Sequence, residues 1–112
     1  MIRNLDLKGE TLQFEMTNRT IFKIDEEFDN FGEVINGLMF GKNLYTNAIR
    51  ILVGSCISRG EENKLTVDEL IDNLTSEQIT QEIIPLAQNL YLEDYRGIKE
   101  ESTNSKEESK KK

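Results

Sequence analysis

The 112-residue chain reads as a small α+β domain, mostly helical, with an N-terminal β-hairpin and a disordered C-terminal tail. Three observations predict this. The first sixteen residues alternate apolar and polar on both sides of one turn. From Thr17 onward the apolar spacing changes to three and four residues. The last twelve residues, ESTNSKEESKKK, contain nothing apolar to bury against the entropy of ordering them. One domain over 1–98 and a charged tail over 99–112 follow.

The hairpin is expected over about 3–16. Leu5 and Leu7 point one way, and Leu12, Phe14 and Met16 keep the same rhythm. Gly9-Glu10 between the strands can supply the positive φ of a tight turn. A lone hairpin is marginal in water, so its apolar face should lie on helices.

Ile21, Ile24, Phe28 and Phe31 recur at helical steps, with Lys23, Glu26 and Glu27 opposite, which predicts a helix over about 18–29 capped by Thr17 or Asn18. A shorter helix is expected over 32–40 and a longer one over 43–58. In the latter, Leu44, Tyr45, Ala48, Ile49, Leu52, Val53, Cys56 and Ile57 cover most of the circumference, the mark of a central helix. Its remaining stripe of Thr46, Arg50, Gly54 and Ser58 is either a solvent edge or a place where another chain packs closely. GEENK reads as a polar loop. Two capping-box spacings, Thr66 to Glu69 and Thr75 to Gln78, then place helices over about 67–74 and 76–95. Pro85 cannot donate to the carbonyl of Gln81, so a kink or break is expected there.

Composition excludes several functions. The formal charge is −7, and residues 1–100 carry 10 basic against 18 acidic side chains. Such a surface repels phosphate backbones, against nucleic-acid binding. A single cysteine allows no intramolecular disulfide and fits a cytosolic chain. The start, MIRNLDLKGE, lacks a signal-peptide core, and no apolar run is long enough to span a membrane. Histidine is absent, which removes the commonest general base and the commonest transition-metal ligand.

The segment DEEFDNFGEVINGLMFG, residues 25–41, is the densest candidate for chemistry. As a calcium loop starting at Asp25 it puts Asn30 at position 6 and Asn36 at position 12. Starting at Glu27, Gly32 falls correctly at 6, but Phe31 falls at 5 and Leu38 at 12. Neither register supplies the required oxygens. Gly37-Leu38-Met39-Phe40-Gly41 has the small-xxx-small spacing of membrane helix pairs, but Glu33, Asn36 and Lys42 flank it. Cys56 has no histidine to activate it and is expected as a small buried residue of the central helix. Asp68, Glu69 and Asp72 suit the start of a short helix better than a catalytic carboxylate pair. No metal, no cofactor and no enzyme activity is expected.

The order of segments carries more. LDLKGETLQFEMTNRTIFKIDEEFDNFGEVINGLM followed by LTVDELIDNLTSEQI resembles the tail assembly chaperones of long-tailed (siphovirus-type) phages and prophages of Gram-positive bacteria, over residues 1–100. The resemblance implies a non-enzymatic protein acting in the cytoplasm of the bacterial host. It would bind the helix-rich tape-measure protein, recruit tail-tube subunits during virion morphogenesis and be absent from the mature virion. Self-association fits such a role, and so does a longer product made by ribosomal frameshifting near the terminal lysines. No contact residue can be carried over from the family. Recognition is expected to be helix-in-groove, through apolar residues in surplus at the joints: Leu38, Met39, Phe40, Tyr45, Tyr91 and Tyr95. The alternative is a small acidic regulator or inhibitor that binds a host protein, which would gather its carboxylates on one face.

Overall fold

Strands β1 (Arg3–Leu7) and β2 (Glu10–Phe14) pair antiparallel, Leu5 opposite Leu12 and Leu7 opposite Glu10. A computed structural model of the chain describes residues 1–28 and 30–97, so the tail expected over 99–112 lies outside the described residues. The turn is Lys8-Gly9, one residue earlier than expected, with φ of 53° and 82°. Two successive positive φ values match the right-handed twist of a two-residue hairpin, and the second falls on glycine, which adopts it without strain. Leu5, Leu7, Leu12, Phe14 and Met16 are all buried, as the alternation requires.

Helix α1 (Asn18–Glu27) is capped by Thr17, whose hydroxyl accepts from the Thr20 amide while the Thr20 hydroxyl accepts from the Thr17 amide. Helix α2 (Phe31–Phe40) begins at Asn30, whose side chain accepts from Glu33 N–H, and ends at Gly41 in the left-handed region. Helix α3 (Leu44–Ser55) is the central one. Ala48, Ile49, Ile51, Leu52 and Val53 are buried in it, and it packs against α1, α2 and both later helices.

The expected helix over 43–58 stops three residues early. Cys56 turns to extended backbone and bridges to Phe14, while Ile57 N–H donates to Gln13 O at 2.8 Å and Glu15 N–H donates to Ser55 O at 2.9 Å. The outer edge of β2 takes these residues out of the helix, and Cys56 is half-buried beyond its end. Of the stripe Thr46, Arg50, Gly54 and Ser58, Thr46 and Ser58 are exposed and Arg50 is half-buried, while Gly54 departs from it. Gly54 is buried inside the chain, where α1 sets Ile24 directly against it.

Helix α4 (Val67–Asn73) starts at its Thr66 cap. Helix α5 is a continuous helical run through Ser76–Gln78, Ile79–Ile83, Ile84–Asn89 and Leu90–Tyr95, the second and fourth parts wound as wider π turns. The run does not break at Pro85. The stretch just before the proline has widened, so that Ile84 N–H reaches back five residues to Ile79 O.

Two arginines tie the layers together. Arg3 on β1 grips Asp94 on α5 through Nε and Nη2, both at 2.8 Å, with Nη2 also 2.8 Å from Glu93. Arg59, after α3, holds Glu10 on β2 at 3.1 and 2.8 Å and Glu69 on α4 at 2.7 Å twice. Its hydrogen bonds hold both carboxyls below the usual glutamate range. Such depressed groups stabilise the fold fully above their unfolded pKa of about 4.3, and the contribution is lost as pH falls through the lower folded values. Arg59→Ala is therefore expected to lower the urea midpoint at neutral pH, as the loss of a largely exposed ion-pair network. Urea melts at pH 7 and pH 3 should show the gap between wild type and variant narrowing in acid.

Candidate partner-binding surface

The six residues named from sequence fall into three places. Leu38, 1% exposed, is a core residue of α2, and Met39 is half-buried against the same core, so the 38–40 segment does not form a surface as a unit. Phe40, one residue on, is 80% exposed at the last turn of α2. Tyr45, also exposed, opens α3 across the tight Gly41–Asn43 connection. These two aromatics flank the α2–α3 joint.

Tyr91 and Tyr95 stand one turn apart on α5. Their rings stack at 6.0 Å between centroids, and Tyr91 also meets Phe31 at 5.9 Å. The Tyr95 hydroxyl lies 2.6 Å from Asn18 Oδ1, to which it donates. Asn18 shares a shallow surface cavity with Phe22, one helical turn further along α1. The structure thus links Phe31, Tyr91, Tyr95, Asn18 and Phe22 in one connected series across α2, α5 and α1.

Phe22 was missed by sequence reasoning, although a signal existed. It is 75% exposed on the face of α1 that carries Asn18, Asp25 and Glu26, so it is an aromatic residue in an otherwise polar stripe. Phe40 stands in the same relation to Glu33 and Asn36 on α2. An aromatic ring displayed among polar residues gains nothing for the fold, because its apolar area stays in water. Phe22 and Phe40 are the two most exposed aromatic side chains among the described residues.

Among the described residues no three side chains of metal-ligating type gather closely enough to hold an ion, and no helix is long and apolar enough to cross a membrane. The carboxylates are spread over several elements. Glu10, Glu27, Glu69, Glu93 and Asp94 are engaged in ion pairs with Arg59, Lys64 and Arg3. No protein-family model, curated protein or solved structure matches the chain.

Proposed function

We propose that this protein is a tail assembly chaperone that binds the tape-measure protein of a long-tailed phage or prophage and recruits tail-tube subunits to it, acting without catalysis in the cytoplasm of the bacterial host. The observation that carries this reading is the display of Phe22 and Phe40 on polar helix faces of an acidic domain. A tape measure is a long helical chain whose apolar stripe stays uncovered until the tube encloses it. Exposed rings give that stripe something to bury, while a net charge of −7 opposes indiscriminate association of the complexes. The order of sequence segments supports the same reading. The alternative of a small acidic regulator or inhibitor is less favoured, because Glu10, Glu69, Glu93 and Asp94 are paired with arginines of the same chain.

Co-expression with a tape-measure protein of a long-tailed phage tests the proposal. The tape measure should move from the insoluble to the soluble fraction and co-purify with this chain. An empty pull-down against both tape measure and tube subunit would remove the reading.

A further inference from the structure

The geometry points to a carboxylate-binding site in the cavity formed by the end of α1, α2 and the start of α3, next to the Gly41–Asn43 connection that Phe40 and Tyr45 flank. The cavity holds about 300 Å³ and is lined by Phe28, Asn30, Asn36, Lys42, Asn47 and Arg50, with Glu33 also in its wall. The case begins with a comparison among the arginines. Arg3 and Arg59 each present the Nε/Nη2 edge of the guanidinium to a carboxylate, on Asp94 and Glu10 respectively. Arg50 is half-buried and held 5.5 Å above the Phe28 ring. Its Nη1 makes one long contact, 3.4 Å, with Asn47 Oδ1. Among the described residues no carboxylate lies within ion-pairing distance of it, and its Nε/Nη2 edge has no hydrogen-bond partner.

The other groups are also donors. Asn47 is only 5% exposed, and of its two amide hydrogens one is engaged on Lys42 O at 2.9 Å while the other has no partner among the described residues. Asn43, which also lines the cavity, forms no side-chain cap on the 12-residue α3. A planar guanidinium edge, amide hydrogens and an ammonium together suit a group that only accepts hydrogen bonds. Glu33 in the wall opposes a second negative charge, which favours a monocarboxylate over a phosphate dianion. The carboxylate comes either from an acidic side chain of a partner protein or from a free small organic acid.

The test is an NMR titration of the full chain with acetate, glutarate, N-acetylglutamate α-amide and inorganic phosphate, against chloride at matched ionic strength. Saturable shifts are expected at the Asn47 side-chain amide, Arg50 Nε and the first amides of α3. Arg50→Gln and the exposed Lys42→Gln should each weaken acetate binding several-fold, Glu33→Gln should tighten it, and phosphate should bind more weakly than acetate. Tighter binding of the glutamate amide assigns the group to a partner's side chain, and tighter binding of glutarate assigns it to a free acid. Shifts no larger than with chloride, or unchanged affinity in both cation variants, would overturn the proposal.

Discussion

Gly54→Ala is expected to destabilise the domain by about 2 kcal/mol, against the usual rule that alanine for glycine inside a helix stabilises by about 1 kcal/mol. The reason is Ile24. A β-carbon on Gly54 would intrude on Ile24 Cγ1 and crowd its Cδ1, and Ile24 is fully buried with nowhere to move. Interiors packed to crystal density meet such an intrusion by shifting backbone or by forcing off-rotamer side chains. The clash is with a side chain, so it has a specific remedy. Ile24→Ala alone should cost about 3 kcal/mol through the cavity it leaves. In the double variant the alanine at 54 should occupy part of that cavity. The pair should therefore cost clearly less than the sum of the two single changes, a coupling that chemical denaturation can read in a double-mutant cycle. Strict additivity would mean that α1 and α3 do not meet at these residues.

The second large effect concerns binding. Phe22→Ser and Phe40→Ser should leave folding stability within about 0.5 kcal/mol of wild type, because both rings already stand in water. If these rings anchor the tape measure, each truncation should weaken that complex by about 30-fold, the size of a 2 kcal/mol hot spot. Together they should weaken it by two orders of magnitude or more, measured by calorimetry or biolayer interferometry on a soluble tape-measure fragment. Tyr95→Phe provides an internal comparison. It removes the hydroxyl that donates to Asn18 but keeps the ring, so it should affect both stability and binding only slightly.

The hairpin and the helices were legible because their periods are local. Leu5, Leu7, Leu12 and Phe14 read as one strand face whatever lies beneath them, and Thr17, Thr66 and Thr75 declare helix starts within three residues. What could not be read depends on partners distant in the chain. Nothing between residues 43 and 58 indicates that Cys56 and Ile57 leave the helix, since the groups that draw them out belong to Phe14 and Gln13. The place of Gly54 depends likewise on which helix lies across it. Leu38, Met39 and Phe40 are equally apolar in sequence, but the rotation of α2 buries the first, half-buries the second and exposes the third. Phe22 carried a local signal, an aromatic residue one helical turn from Asn18, Asp25 and Glu26 on an otherwise polar stripe. The use of Arg3 and Arg59 as ties between elements, like the unpaired edge of Arg50 among the described residues, appears only once the elements are in place.

The central claim is that this chain keeps a tape-measure protein soluble through exposed aromatic rings. It is tested most directly by co-expressing that protein with wild type and with the Phe22→Ser/Phe40→Ser double variant, then comparing the soluble, co-purified tape measure. The account predicts a soluble complex with wild type and tape measure left in the pellet with the variant, while the variant itself stays folded and soluble. Equal recovery with both chains, or a tape measure as soluble with neither, would contradict it.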